Sequence, residues 1–241
     1  MDKTLVTWSA SLVRGRFLTR LHRFAALCRV RAEEALVHVP ATGRMKELLI
    51  PGTTVGLLPA AGAAQGRKTA WTLVLVRHRD LWVHVDSTGP TRVVPALLRN
   101  GLLAELSGYT DILPEPRLPD GGRLDFLLQG PNRQPCWVEA KSVTLVTDGV
   151  ARFPDAPTPR GARHLRELAR LKRQGAEAAA IFVVQREDAV ELRPNTPTDP
   201  DFAAALQEAE EAGVLLIAYT TRVLWTGLAP GRRVPVLSKP I

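Results

Sequence analysis

Residues 123–146, RLDFLLQGPNRQPCWVEAKSVTLV, decide the fold of this chain. Two apolar runs flank a cluster of turn-forming residues, a pattern that predicts a hairpin of strands at 123–128 and 136–146. In the second strand Glu139 and Lys141 stand two residues apart, so their side chains project from the same face about 6 to 7 Å apart. Asp125 lies on the first strand, among leucine and phenylalanine side chains. The hairpin therefore predicts both a sheet and a group of charged residues upon it.

The segments on either side of the hairpin alternate between helical and strand patterns. The predicted elements are a helix at 91–106, a strand at 112–118, the hairpin, a helix at 159–175, a strand at 178–184, a helix at 199–213 and a strand at 214–219. The run 178–184 is wholly apolar and too short for a helix, which is typical of a strand buried on both faces. This order predicts an α/β domain over residues 86–241, with helices around a central mixed sheet.

Two of these helices carry clear end signals. Thr158 is suited to the N-cap of the helix at 159–175, Pro159 fits its first turn, and Gly175 follows its last turn. Asp199 opens the next helix, and Gly213 ends it.

Short strand patterns fill the first third of the chain, and glycine or proline punctuates most of the gaps. They cover residues 12–18, 25–31, 35–39, 55–59, 71–77 and 81–85. Arg29 and Arg31 alternate with Cys28 and Val30, as in a strand with one wet and one buried face. We therefore predict a small β-barrel over residues 1–85 with arginines on its outside. The alternative is that these arginines only solvate a sheet.

The basic charge is confined to this predicted barrel. Residues 1–84 contain 13 Lys and Arg against 5 Asp and Glu, a net charge of +8, whereas residues 85–241 contain 19 of each. Such an imbalance favours an anionic partner for the first unit, and DNA or RNA is the partner that fits best.

The two cysteines and the hydropathy pattern indicate the cellular compartment. Cys28 and Cys136 lie in apolar runs and are expected to be buried free thiols, the usual state in a reducing cytoplasm. The N-terminus lacks the apolar segment of a signal peptide, and no stretch approaches the roughly 20 apolar residues of a membrane span. We expect a cytoplasmic protein with no membrane partner.

Asp125, Glu139 and Lys141 are the candidates for chemistry. A carboxylate among apolar neighbours is costly to bury without compensation, and one or two Mg²⁺ or Mn²⁺ ions held by Asp125 and Glu139 would supply it. Lys141 would then stabilise charge that develops on a phosphate. Without a metal, Lys141 would instead form a cross-strand ion pair with one of the two carboxylates.

Basic residues elsewhere extend the hypothesis of a phosphodiester partner. In the helix at 159–175, Arg163, Arg166, Arg170 and the pair at 172–173 crowd one side, as a backbone-binding stripe or a solvated face would. Arg67 and Lys68 fall in a glycine-containing loop that we interpret as a basic hairpin loop. No metalloprotease, paired-cysteine or serine-hydrolase motif occurs, and the five histidines do not cluster in the sequence.

Several blocks of the chain together resemble one known family. They are GRLDFLL (122–128), CWVEAKSVTL (136–145), FPDAPTPRGARHLREL (153–168), FVVQR (182–186), RLHRF (20–24), HVPATGRM (38–45) and the dipeptide at 51–52. This set resembles the sugar fermentation stimulation protein A family, and the match runs nearly end to end. The resemblance implies an N-terminal domain similar to an OB-fold, a C-terminal domain like the PD-(D/E)xK nucleases, and DNA binding.

The resemblance also implies roles for single residues. Asp125 and Glu139 correspond to metal-binding carboxylates, Lys141 to a catalytic lysine, and Gln185 to a polar catalytic position. Asp155 and Arg160 match a family block that we place at the mouth of the site. The residues predicted to contact nucleic acid are Arg14, Arg16, Arg20, Arg23, Arg29, Arg44, Arg67, Lys68, Arg160 and Arg163.

The chain departs from the family pattern at two places. Arg44 replaces a small polar residue in the block at 38–45, which changes what this loop contacts. Ala96 stands about where the family carries a glutamate from which related nucleases add a metal ligand. Glu105 and Glu115 are the candidates to replace that ligand, and a structural role is the alternative for each.

Three functions are compatible with these features. The leading hypothesis is a DNA-binding protein with a Mg²⁺- or Mn²⁺-dependent phosphodiesterase site. The second is a non-catalytic DNA-binding regulator that keeps a nuclease-like fold, and the third is a protein-interaction module of carbohydrate metabolism. The oligomeric state is not fixed by the sequence, and a homodimer is compatible with it.

Overall fold

The computed structural model of the protein describes residues 4–60, 69–118 and 121–239. Its strands are β1 (Val6–Thr7), β2 (Val13–His22), β3 (Ala25–Val30), β4 (Glu33–His38), β5 (Thr54–Pro59), β6 (Trp71–His78), β7 (Leu81–His84), β8 (Asp111–Pro114), β9 (Phe126–Gln129), β10 (Cys136–Val143), β11 (Val146–Thr147), β12 (Val150–Phe153), β13 (Glu177–Val184), β14 (Glu191–Pro194), β15 (Leu215–Leu224) and β16 (Gly227–Val234). Its α-helices are α1 (Pro90–Arg99), α2 (Pro159–Arg173) and α3 (Pro200–Glu211).

Strands β2 to β6 form a closed barrel. β3 pairs with β2 and β4, β5 pairs with β2 and β6, and a parallel pairing of β4 with β6 closes the ring. The closed OB-like barrel predicted for the first third of the chain is thus confirmed. On β2 the exposed Arg14 and Arg16 alternate with the buried Gly15 and Phe17. The alternation predicted around Arg29 is present on β3, where Arg29 is exposed between buried Cys28 and Val30, but Arg31 lies beyond the end of this strand.

A seven-stranded mixed sheet forms the centre of the second unit. Its strand order is β1-β16-β15-β13-β10-β9-β8. β10, β13 and β15 are parallel to one another, and the outer pairings are antiparallel. β9 and β10 are the predicted hairpin, with Phe126 opposite Val138. β11, β12 and β14 make a separate three-stranded sheet beside it.

The two faces of the large sheet are covered by different elements. On one face α2 and α3 pack in a core that includes Phe182, Leu165 and Phe202. On the other face the core includes residues of α1 together with Val74 and Leu75 of the barrel strand β6. The barrel therefore packs against the sheet on the side opposite α2, while the barrel interior forms a separate core.

The predicted helix caps are confirmed. The Thr158 hydroxyl accepts a hydrogen bond from the Gly161 backbone NH at 3.1 Å, and Asp199 Oδ1 accepts one from the Phe202 NH at 2.9 Å. Asp199 Oδ2 also accepts a hydrogen bond from the Thr158 NH at 2.7 Å, which joins the beginnings of α2 and α3. Buried backbone NH groups at both helix starts are thus satisfied by side chains.

Some predicted boundaries are wrong. The helix predicted at 91–106 ends at Arg99, since Gly101 follows with φ +65°, a left-handed conformation that stops a helix. The strand predicted at 136–146 ends at Val143, and the chain then crosses to the small sheet at β11. Asp125 directly precedes β9 and does not lie within it.

β1 belongs by its pairing to the second unit although it precedes the barrel. Val6 lies opposite Leu228 of β16, so this segment is not part of the barrel as the predicted range 1–85 has it. β7 pairs with β6 at the edge of the barrel sheet and ends at His84, and α1 begins at Pro90. In the described part of the chain, no helix has the length and apolar character that crossing a bilayer requires.

Candidate functional site

A cavity of about 720 Å³ lies between the barrel and the large sheet. Asp125, Glu139 and Lys141 line it together with Ser142 from β10. Residues that line it from the barrel side include Arg23, residues 41–43 and Met45, and residues 152–160 line it from the other side. The charged residues that the sequence singled out therefore converge at the junction of the two units.

Glu139 is the most deeply buried charged residue of this cavity, with 3% of its surface exposed. Its Oε1 accepts hydrogen bonds from Lys141 Nζ and from His164 Nδ1. Oε2 is buried and has no hydrogen-bond partner in the described chain. Burial alone would raise the pKa of Glu139, but the bonds and charges of His164 and Lys141 outweigh burial and lower it. The group is therefore held as a carboxylate with one oxygen unused.

Asp125 is held beside Glu139 by the backbone of the adjacent strand. Its Oδ2 accepts a hydrogen bond of 2.7 Å from the Ala140 NH. Burial raises the pKa of Asp125, and the nearby negative charge of Glu139 raises it further. The two carboxylates thus have pKa values shifted in opposite directions, which is common where acidic groups share a functional site.

His164 is a residue that the sequence reasoning missed. It lies on the buried face of α2 with Leu165 and Leu168, and only 6% of its surface is exposed. Helix packing on β10 brings its ring to Glu139, 25 positions away in the chain. The available signal was a histidine at an inward position of an amphipathic helix.

Gln185 is not brought to the two carboxylates. It follows β13, and its amide Nε2 donates to the Ser142 hydroxyl at 3.1 Å and to the Asp86 carbonyl at 3.2 Å. Its Oε1 lies 2.8 Å from His84 Nδ1. Glu139 contacts α2, whereas Gln185 contacts His84 at the end of β7, so the two residues serve opposite faces of the sheet. Gln185 reaches the cavity only through Ser142.

Metal binding by this site depends on few ligands. No group of three or more His, Cys, Asp and Glu side chains is suitably arranged for a metal within the residues that the structure describes. The unpartnered Oε2 of Glu139 and the adjacent Asp125 are hard oxygen ligands of the kind that Mg²⁺ and Mn²⁺ accept. Mg²⁺ commonly completes such sites with water and substrate phosphates, so two carboxylates fit a divalent cation.

The predicted substitutes for a third acidic ligand lie elsewhere. Glu105 is bonded to Arg233 at 2.9 Å, and Glu115 is bonded to Arg123 at 3.2 Å with 74% of its side chain exposed. Neither lines the cavity, and neither does Ala96. From the region of α1, the lining residues include Thr88 and Thr91.

The arginines predicted to contact nucleic acid fall into three groups. Arg20 has a structural role, because its Nη1 and Nη2 donate to the carbonyls of Gly43, Arg44, Arg23 and Ala41 at 2.7 to 3.0 Å. Arg14, Arg16 and Arg29 are on the barrel surface, where Arg14 lies over the Trp225 ring and Arg29 pairs with Glu34. Arg23 and Arg160 line the cavity. Arg44 and Arg163 are exposed and lie within three residues of lining residues in the sequence. Arg67 and Lys68 lie outside the described residues.

The basic stripe predicted along α2 is largely neutralised by neighbouring carboxylates. Arg166 is bonded to Asp201 and Glu208 of α3, and Lys172 is bonded to Glu177. Arg170 is bonded to Glu167 on the same helix. This stripe therefore joins α2 to its neighbours and is not a continuous surface for phosphates.

Asp155 fastens the barrel loop at 41–45 over the cavity. Its Oδ2 accepts a hydrogen bond from the Met45 NH at 3.2 Å. Gly43 packs so closely that an added Cβ would lie 2.7 Å from Asp155 Oδ1. A side chain at this position would therefore have to displace the Asp155 carboxylate from its contact with the Met45 NH.

Replacing Gly43 by alanine is expected to destabilise the protein by about 1–3 kcal/mol, because the new methyl group must displace a fixed carboxylate. Urea unfolding would measure this loss, with the neighbouring Thr42→Ala as control. In the double variant Gly43→Ala/Asp155→Ala the clash is absent, so its loss should be smaller than the sum of the single losses. Strict additivity would contradict the proposed contact.

The comparisons with known proteins agree with this architecture. The model described as "SfsA N-terminal OB domain" matches residues 18–85, and that described as "Sugar fermentation stimulation protein RE domain" matches residues 88–226. A sugar fermentation stimulation protein homolog of Moorella thermoacetica is 45% identical over 219 residues, which cover 91% of this chain and 94% of the relative. The homolog of Symbiobacterium thermophilum is 46% identical over 239 residues, covering 93% and 94%.

A solved structure extends the comparison to three dimensions. The structure of Pyrococcus furiosus SfsA in complex with Ca²⁺ has a TM-score of 0.88 and 30% sequence identity to this chain. The alignment covers 98% of this chain and 99% of the other. By its two family models, its relatives and its fold, the chain belongs to the sugar fermentation stimulation protein family.

Proposed function

We propose that the protein binds DNA and hydrolyses phosphodiester bonds with a divalent cation, Mg²⁺ or Mn²⁺, held by Asp125 and Glu139. The observation that carries this proposal is the buried, unpartnered Oε2 of Glu139 in a cavity that Asp125 and Lys141 also line. A buried oxygen without a partner is costly unless a ligand compensates it. The free thiols of Cys28 and Cys136 support action in the cytoplasm.

Relatives and charge support the same proposal. The Pyrococcus furiosus relative is in complex with Ca²⁺, a hard cation that takes oxygen ligands as Mg²⁺ and Mn²⁺ do. An OB-like barrel is a common platform for oligonucleotides, and here the excess positive charge lies in the barrel part of the chain.

The residues of the chain have separate tasks in this proposal. Asp125 and Glu139 would hold the cation, which when bound polarises the phosphate and activates water for attack. Lys141 stabilises negative charge that develops on the phosphate oxygens. His164 and Lys141 both bond Oε1 of Glu139, which fixes the carboxylate and leaves Oε2 for ligand binding. Arg23 and Arg160, at the cavity wall, would orient the phosphodiester backbone.

The test is cleavage of labelled DNA with Mg²⁺, with Mn²⁺ and with EDTA. Lys141→Ala should lower the metal-dependent cleavage rate by about 10²–10³-fold, the effect expected on removal of one group that stabilises transition-state charge. Lys172→Ala is the matched control, since this lysine pairs with Glu177 at the far end of α2. Absence of cleavage with either metal, or equal rates in both variants, would contradict the catalytic proposal.

The raised pKa of Asp125 gives a pH prediction for the metal-free protein. Burial and the charge of Glu139 disfavour the ionised form of Asp125 in the folded protein. Protonated Asp125 therefore contributes its full stabilisation of the fold below the ordinary Asp pKa of 3.8, and this contribution is lost as pH rises through the raised pKa. Asp125→Asn keeps an acceptor for the Ala140 NH and cannot ionise. In EDTA the free energy of unfolding of Asp125→Asn should therefore increase relative to that of the wild type as pH rises above about 3.8. The increase should be roughly 1.4 kcal/mol for each unit by which the pKa of Asp125 is raised.

This difference can be measured by urea unfolding of both proteins from pH 3.5 to 7. Titrations shared by the two proteins cancel in the difference, and Mn²⁺ should reverse the sign at pH 7 by stabilising only the wild type. A difference that does not change with pH would contradict the assigned environment of Asp125.

A second candidate is a DNA-binding protein without catalysis. It is favoured by the sharing of Glu139 Oε1 between Lys141 and His164, an arrangement that is stable as an ion-pair network. It is also favoured because the third acidic lining residue, Asp155, bonds the Met45 NH, and no three His, Cys, Asp or Glu side chains of the described residues are grouped for a metal. DNA binding in EDTA that persists without cleavage in Mg²⁺ or Mn²⁺ would support it over the first candidate.

A further inference from the structure

A second cavity, of about 880 Å³, lies beside the first and is rich in arginine. The four arginines that line it are Arg117, Arg123, Arg160 and Arg163. Its one acidic lining residue in the described chain is Glu167, which is already bonded to Arg170. We name this space the arginine cavity.

The arginines of this cavity are placed as like-charge neighbours. Arg117 and Arg123 face each other across an antiparallel backbone bridge, where like charges directly opposite are destabilising. Arg160 and Arg163 are three residues apart on α2, so they too are neighbours on one helix face. The fold thus brings four cations together at a cost in repulsion.

The described residues provide little compensating charge. Arg117, Arg160 and Arg163 are exposed and make no ion pair with any described residue, and Arg123 has a single surface pair with Glu115. Further along α2, by contrast, Arg166 and Lys172 are bonded to carboxylates. Two exposed arginines without a described ion pair, Arg160 and Arg163, thus lie in the first turns of α2, which line the arginine cavity. An external anion would relieve their repulsion.

The arginine cavity adjoins the site of Asp125 and Glu139. Arg160 lines both cavities, and His164 lines the arginine cavity while its Nδ1 bonds Glu139. An anion bound among the arginines would therefore lie next to a phosphate bound at Asp125 and Glu139. Successive phosphates of a nucleic-acid backbone are two such neighbouring anions, covalently linked.

The walls of the first cavity indicate which form of nucleic acid fits. The loop at 41–45 is fastened to Asp155, so residues of both units line the site, and Glu139 is almost fully buried where it contacts α2. A double helix is wider than a cavity of about 720 Å³ can admit, so only one strand of nucleic acid could reach Glu139 inside it. A single strand can enter such a space without unpairing.

We propose that the arginine cavity binds the phosphates of a single nucleic-acid strand directly next to the phosphodiester bound at Asp125 and Glu139. This inference rests on the proposed function, which it deepens by naming the strand form and the residues that hold its backbone. The arginines contact phosphates and carry no base readout, so binding depends on charge and not on sequence.

The experiment measures binding of a fluorescently labelled single-stranded oligonucleotide in EDTA over a series of salt concentrations. Each phosphate contact contributes about 0.7 to the slope of log affinity against log salt for single strands. Arg117→Ala/Arg163→Ala should therefore reduce the slope by about 1.4. Arg173→Ala is the matched control, because Arg173 is exposed on the same helix but lines neither cavity.

Each outcome has a defined meaning. An unchanged slope in the double variant, at an unchanged melting temperature, overturns the inference, as does competition by duplex DNA equal to that by the single strand. Arginine-dependent binding without cleavage in Mg²⁺ or Mn²⁺ supports the arginine cavity and contradicts the catalytic proposal. Cleavage by the wild type with no arginine dependence overturns the inference alone, and absence of any binding overturns both.

Discussion

Replacing Glu139 by glutamine is expected to lower the metal-dependent cleavage rate by at least about 1000-fold. The cation would lose one of its two carboxylate ligands, and a metal ion contributes several kcal/mol of transition-state stabilisation, where each 1.36 kcal/mol is a factor of ten. The amide keeps an acceptor oxygen for His164 and Lys141, so the local contacts of Oε1 remain possible. Cleavage of labelled DNA, together with Mn²⁺ titration by calorimetry, measures both consequences.

Glu105→Gln is the matched control for this experiment. Glu105 also bonds a cation, Arg233, but lies outside the cavity, so its variant should cleave and bind Mn²⁺ as the wild type does. If Glu139→Gln kept wild-type cleavage while folded, the cation could not depend on this carboxylate. If both variants lost activity equally, the loss would reflect a general effect of removing an ion-paired carboxylate.

Replacing Phe182 by alanine is expected to destabilise the protein by about 3–5 kcal/mol, the usual cost of removing a buried aromatic side chain. Phe182 is fully buried in the central strand β13, in the core shared with α2 and α3. Its ring packs edge-on against Phe153, with centroids 5.9 Å apart, and Phe153 lines the cavity of Glu139. The substitution should therefore weaken the cavity wall as well as the core.

Urea unfolding measures this loss, and Phe182→Leu is the control. Leucine retains most of the apolar volume, so its loss should be clearly smaller than that of alanine. A loss below about 1 kcal/mol for Phe182→Ala would mean that neighbouring side chains fill the space left by the ring. This would contradict the tight packing expected around β13, which is covered on both faces of the sheet.

The regular elements could be predicted because their signals are local. The run at 178–184 has the uniform apolarity of a strand covered on both sides, and the structure places β13 at Glu177–Val184. Short elements with mixed signals were not predictable in this way. β16 contains a glycine and a proline within its span, and β1 has two residues, so both depend on partners distant in the chain.

Those residues of the site that lie on the hairpin of β9 and β10 could be predicted from the sequence. Glu139 and Lys141 share a face because of strand geometry, which the spacing reveals. His164 reaches Glu139 only through the packing of α2 on the sheet, a contact without any local signal. Arg20 illustrates the opposite case, since a basic residue in a basic domain proved to bond four carbonyls of its own barrel.

The pairing of β1 with β16 has a consequence for the order in which the molecule can assemble. Val6 lies opposite Leu228, and Trp8 donates its indole NH to the Trp225 carbonyl at 3.1 Å. During synthesis the barrel strands emerge long before β16, so the barrel can close while residues 5–8 still lack their partners. Trp8 also stacks on His84, with ring centroids 5.3 Å apart, so one of its contacts is available early and the other, to Trp225, only late. Translation from the N-terminus delays the pairing of β1 with β16 until nearly the whole chain has been made.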